Sequence, residues 1–215
     1  MTWLLRRFPL FVLTVSVMAT AVATVREAAG WSAPAHRVGC ALAASYLLWL
    51  LLESWTTVRS SRATEATTDR GTVYAYGAAR AATVATACLV PTDWSGYRPW
   101  MPVLPVAFVC AVALRLAAVR ALGRFYSHRV RALGDHRIVD TGPYRLVRHP
   151  AYVGMAAAHI AFVGYFLNPA SAAALVVLLL PAIVVRVLVE ERMLFALPGY
   201  SDFAASRRRL IPWVW

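Results

Sequence analysis

Arg186, Glu190 and Glu191 stand in the spacing R-x-x-x-E-E at the end of an apolar run. Charge in such a place is expensive unless it is paired or faces water. Residues four apart share a helix face, so Arg186 and Glu190 adjoin while Glu191 points about 100° away. An i, i+4 ion pair at a helix end is the plainest outcome of that spacing. Upstream, residues 135–152 read DHRIVDTGPYRLVRHPAY, a long charged stretch between two apolar segments, and long loops between spans are uncommon unless they carry function. Gly142-Pro143 marks a turn. His149-Pro150 marks a helix start, because proline suits the first helical turn and forces the preceding residue out of the α region. His149 is thereby held at a helix mouth, where backbone N–H groups and the helix dipole favour a carboxylate or another anion. Two acids beside one Arg, facing back toward His149, put both signs of charge around one space. That arrangement suits a zwitterionic ligand.

The elements that must position these residues are membrane helices. Of 215 residues 60% are hydrophobic and 15% charged, and the mean hydropathy is +0.58, which excludes an ordinary soluble domain. Crossing a hydrocarbon core takes roughly 20 apolar residues. Six runs qualify, at about 9 to 25, 36 to 55, 73 to 90, 101 to 121, 151 to 167 and 170 to 189, the last two joined only through Asn168-Pro169 as a tight hairpin. The expected fold is an all-α integral membrane protein of about six transmembrane helices, with a cytoplasmic loop and a polar, amphipathic tail from Pro198 to Trp215.

The net charge of +12 comes from 22 Arg and no Lys, a bias ascribed first to codon usage, and it does not by itself imply nucleic acid. Arg6 and Arg7 precede the first run, Arg59, Arg62 and Arg70 follow the second, and Arg120, Arg124, Arg129, Arg131, Arg137, Arg145 and Arg148 lie between the fourth and fifth. The other side holds Arg26, Arg37 and Arg98. By the positive-inside rule both termini and the long loop are cytoplasmic, and most of the loop arginines serve orientation and attraction to anionic headgroups. Arg6 and Arg7 ahead of an apolar stretch ending in Ala21-Val22-Ala23 also fit a signal peptide. Its cleavage would leave residue 26 outside and the orientation unchanged.

Cys40, Cys88 and Cys110 fall inside apolar segments without metal-ligand spacing, so neither a metal nor a disulfide framework is expected. His36, His128 and His159 look isolated and are read as surface or packing residues. Arg80 and Arg115 lie within the third and fourth runs, with Glu53 as a plausible partner for either; the expected result is a buried interhelical pair or snorkelling. No internal repeat or low-complexity linker divides the chain. The division expected is residues 1–121 for anchoring and an acceptor tunnel, and 122–215 for cofactor binding and catalysis.

In combination the C-terminal residues resemble the isoprenylcysteine carboxyl methyltransferases and related phospholipid methyltransferases of membranes. The resemblance rests on Gly142, Tyr144, Arg148-His149-Pro150, Tyr152, Gly154, Asn168-Pro169, Arg186, Glu190-Glu191, Leu194, Gly199-Tyr200 and Leu210-Ile211-Pro212. It covers about the last 88 residues, from His128 onward; the first four helices match only in being helices. It implies a methyltransferase that encloses S-adenosyl-L-methionine between loop and hairpin, and no dinucleotide-type glycine motif contradicts that. Cofactor contacts implied are His136, Ile138, Val139, Tyr144, His149, Pro150, Tyr152 and Glu190; Arg186 would face the substrate, with Arg186 and Glu190 as the catalytic pair.

The acceptor implied is a lipophilic small molecule or a prenylated chain carrying a carboxylate, entering sideways from membrane lipid, with no metal and no nucleic acid. The sequence departs from the family pattern where Tyr200 follows Gly199 directly, where Phe203 takes the place of a later Tyr, and at Arg129, where the carboxyl methyltransferases carry a polar cofactor contact. Other readings are phospholipid N-methylation, a sterol-type NADPH-dependent membrane reductase, against which the length counts, and a non-catalytic membrane protein that binds lipid through its arginines.

Overall fold

The computed structural model describes residues 2–61, 71–92, 94, 96–123, 138–212 and 214–215. His136, expected at the cofactor, lies outside the described residues, as do His128 and Arg129. The regular structure described is helical: α1 Thr2–Ala29, α2 Pro34–Ser61, α3 Thr72–Leu89, α4 Val103–Leu122, α5 Pro150–Tyr165, α6 Pro169–Ala173, α7 Leu180–Leu194 and α8 Tyr200–Ala205. A 3-10 turn covers Gly142–Arg145, and a widened π segment, Ala174–Leu179, joins α6 to α7. Each of the six expected apolar runs lies largely within helix. Among the described residues, four helical stretches are long and apolar enough to cross a membrane: Arg7–Ala29, Pro34–Ser54, Val103–Leu122 and Pro169–Leu194. α5 has 16 residues, or about 24 Å at 1.5 Å per residue, against a core of about 30 Å.

Local chemistry explains the punctuation. Asn168 and Ser171 form a reciprocal capping box: Asn168 Oδ1 accepts from the Ser171 N–H at 2.9 Å, and Ser171 Oγ accepts from the Asn168 N–H at 3.1 Å. With Pro169 at the first helical position, this starts α6 at once after α5. The π segment lies immediately before Pro181, which cannot donate to the carbonyl four residues back and whose ring crowds it. Hydroxyls in the apolar helices bond back to their own turn, as Thr20 does to Ser16 O at 2.7 Å and Thr83 to Ala79 O at 2.8 Å, so they cost little in lipid.

α1 packs on α2 and α3, α4 packs most extensively on α5, and the α6–α7 span runs mainly along α3. α5 and the α6–α7 stretch thus share a three-residue connection, but each takes a different main neighbour. Gly154 permits the α4–α5 approach: a Cβ there would stand 2.6 Å from Ala111 O and 2.8 Å from Arg115 N. An aromatic interior of Tyr46, Trp49, Phe108, Phe162 and Phe166 fills the space between α2, α4 and α5.

Candidate functional site

α5 opens with His149 as its cap residue and Pro150 at the first position, so Tyr152 projects from its first turn, and α7 brings Arg186 and Glu190 opposite. The Tyr152 hydroxyl donates to Glu190 Oε2 at 2.9 Å and accepts from Arg186 Nε at 3.2 Å. Arg186 is buried while Glu190 is half-buried. Its guanidinium also donates to Thr72 Oγ1 at 3.4 Å and lies 5.8 Å from the centre of the Tyr76 ring. The first two turns of α3 therefore join this mouth, a contribution that motif spacing did not signal.

Glu191, one residue on, has different surroundings. Its carboxylate meets Arg148 Nη1 at 2.7 Å, His149 Nε2 at 3.3 Å and Arg209 Nε at 2.6 Å, and it is 3% exposed. Backbone bonds tie the same partners together: Arg148 N–H donates to Arg208 O at 2.8 Å and His149 N–H to Arg209 O at 3.0 Å. The tail after α8 is thus strapped across the segment that leads into α5. Sequence reasoning missed this role for Glu191. The tail arginines were the available signal, but pairing them needed the chain reversal at α8, which starts at Gly199 with φ +80° and so favours a residue without a Cβ.

Beneath the strap, Tyr144, Tyr200, Phe203, Ala118 and Ala151 form an apolar cluster, with Ile138, Val139 and Leu194 packed against it. Burial pushes the Tyr200 hydroxyl up from its ordinary pKa, and the Glu191 carboxylate adds to the rise, so Tyr200 stays neutral. Of the expected cofactor residues, Tyr152 and Glu190 meet directly, His149 and Pro150 stand at the helix mouth beside them, and Ile138, Val139 and Tyr144 belong to the adjoining apolar wall.

Two further carboxylates sit in the bundle. Glu53 is clasped by Arg80 Nη1 at 3.0 Å and Arg115 Nε at 2.7 Å, so the sequence's two candidate partners both bind it. Arg80 Nε donates to the Tyr46 hydroxyl at 3.3 Å, which lies 2.8 Å from His159 Nε2. His159 Nδ1 is 2.8 Å from Met155 O, so Nδ1 carries the proton and Tyr46 donates to Nε2. His159 is a helix-packing residue. His36 is not isolated, a correction: its Nδ1 lies 2.8 Å from Glu27 Oε2 across the α1–α2 turn. Cys40, Cys88 and Cys110 are free thiols, and no group of three or more metal-ligating side chains forms among the described residues.

A cation and a carboxylate joined through one hydroxyl at the end of a membrane helix can hold a molecule bearing both charges. The model of the isoprenylcysteine carboxyl methyltransferase (ICMT) family matches residues 103–196. Over this region the chain is similar to the ICMT family. The match takes in α4, which motif reading had left out, together with Tyr152, Arg186 and Glu190, and it stops before Gly199. The chain is also similar to protein-S-isoprenylcysteine O-methyltransferase A of Arabidopsis thaliana, 29% identical over 113 residues, which are 51% of this chain and 57% of that protein. The match thus spans little more than half the length of that ICMT relative.

Proposed function

We propose that the chain is an integral membrane, S-adenosyl-L-methionine-dependent methyltransferase that esterifies the carboxylate of a lipophilic, isoprenylcysteine-like acceptor. The observation that carries this reading is the Arg186–Tyr152–Glu190 array, inside the region that matches the ICMT family. The donor set fits the cofactor: Glu190 offers an anion for an ammonium, the apolar wall of Ile138, Val139 and Tyr144 suits an aromatic base, and His149 and Pro150 border the same mouth. The bound cofactor supplies an electrophilic methyl on a sulfonium.

The acceptor carboxylate is ionised at neutral pH and needs no general base, so this chain's residues act by holding and aligning. Arg186 can grip the carboxylate through its planar fork. Tyr152, locked between Arg186 and Glu190, fixes the distance between acceptor-binding and cofactor-binding groups. Such alignment can contribute several kcal/mol. The arginine distribution supports a cytoplasmic site and cytoplasmic termini, with α3 and α5 completing six crossings. Residues 1–121 anchor the chain and shape the acceptor's path, and 122–215 carry the cofactor.

The test is to incubate membranes containing the protein with methyl-labelled S-adenosyl-L-methionine and a prenylcysteine. Label released as methanol by mild base is the expected result. Label retained as a stable N-methyl product would transfer the assignment to amine acceptors, and no labelled lipid at all would remove it.

A further inference from the structure

The α3 residues Thr72, Tyr76 and Arg80 recur at i, i+4 and i+8, so they line one face of that helix. Thr72 and Tyr76 meet Arg186 at the mouth, and Arg80 meets Glu53. Tyr76 interacts electrostatically with Arg186 above and with Arg80, Arg115 and Glu53 below. A polar stripe therefore descends from the mouth into the bundle, about 12 Å over two helical turns. A purely hydrocarbon acceptor gains nothing from such a stripe, and polar groups at membrane depth are costly unless they do something.

At its lower end two donors lack acceptors among the described residues. Trp49 Nε1 and Arg80 Nη2 are buried there without a hydrogen-bond partner, Trp49 is 1% exposed, and the Arg80 guanidinium lies 4.6 Å from the centre of the Trp49 ring. Both groups are donors only. A buried donor without a partner loses free energy comparable to a hydrogen bond, and an acceptor brought to either donor would recover it.

We propose that Trp49 and Arg80 form a second acceptor subsite, which takes an oxygen acceptor such as an ether, ester or amide carbonyl carried by the substrate about 6–12 Å from the methylated carboxylate. This rests on the methyltransferase reading for the identity of the upper group, and it makes the substrate an amphiphile with two polar points along its length. Glu53, itself held by Arg115, holds Arg80 in place.

The test uses the full-length protein in nanodiscs and two probes: N-acetyl-S-farnesylcysteine, and a thioether of equal length with one ether oxygen replacing a tail methylene at that distance. Wild type is expected to show the lower KM for the ether probe. Trp49→Phe, which removes the N–H and keeps an aromatic ring, should raise that KM about tenfold, as should Arg80→Gln. KM for the farnesyl probe and cofactor binding should stay unchanged. Equal handling of both probes by wild type, with neither variant changing their ratio, would overturn the subsite and leave the methyltransferase reading intact. Thermal stabilisation by each probe, read without turnover, separates the two ideas. Stabilisation of wild type but not Trp49→Phe by the ether probe, with methylation of neither, keeps the subsite and discards carboxyl methylation. Stabilisation by neither probe discards the subsite.

Discussion

Glu190 and Glu191 are neighbours on the last turns of α7, yet one lies at an open mouth and the other under a strap. Glu190 is half-buried and, among the described residues, accepts from one hydroxyl, whereas Glu191 is 3% exposed and meets Arg148, His149 and Arg209. The 100° step between consecutive helical residues produces the difference. One face of α7 turns toward the mouth where α5 and α3 converge; the next turns toward the tail. A carboxylate already engaged by two arginines and a histidine holds structure together, and one that keeps capacity for further donors can bind a ligand.

The largest effect that would sharpen this contrast is on stability. Glu191→Gln leaves Arg148 and Arg209 without their anion in a buried place and should destabilise the protein by about 3 kcal/mol, read as a drop in thermal midpoint in detergent and as easier proteolysis after Ser206. A variant as stable as wild type would refute the strap. Arg186→Ala should come next, with cofactor binding kept and turnover down about 100-fold, the scale of losing one donor that positions and stabilises the reacting group. Comparing kcat with the cofactor's dissociation constant decides it. Tyr152→Phe should have the smallest effect, a loss of about tenfold in kcat/KM, because one hydrogen-bonded hydroxyl goes while Arg186 and Glu190 remain.

These contrasts also mark what could be read in the chain itself. The helices were legible because apolar runs of membrane length have few alternatives, and Asn168-Pro169 marked the break between the last two runs; that Asn168 caps the second was not read. Their neighbours were not: nothing local says that α5 leans on α4, although Gly154, where a Cβ would strike Ala111 O, carries that contact. Glu53 was legible as a partner for Arg80 or Arg115, since a lone acid in an apolar run needs a cation, but not as a partner for both. Glu27 obeyed the same logic and was overlooked with His36, because they meet across a turn. The Arg186 and Glu190 face was legible from i, i+4 spacing; the Tyr152 hydroxyl between them and Thr72 and Tyr76 beside them depend on tertiary approach. His136 lies outside the described residues, and its place at the cofactor is part of the proposal.

The central claim is that Glu190 binds the cofactor while Glu191 holds the fold, and titration calorimetry of S-adenosyl-L-methionine into purified wild type and Glu190→Ala addresses it most directly, with NADPH as a control. The expected result is saturable binding to wild type, none to Glu190→Ala, no NADPH binding to either, and thermal midpoints of the two ligand-free proteins that agree within about 2 °C, as for a substitution outside the packed core. Unchanged binding by Glu190→Ala, or binding of NADPH in place of S-adenosyl-L-methionine, would contradict it.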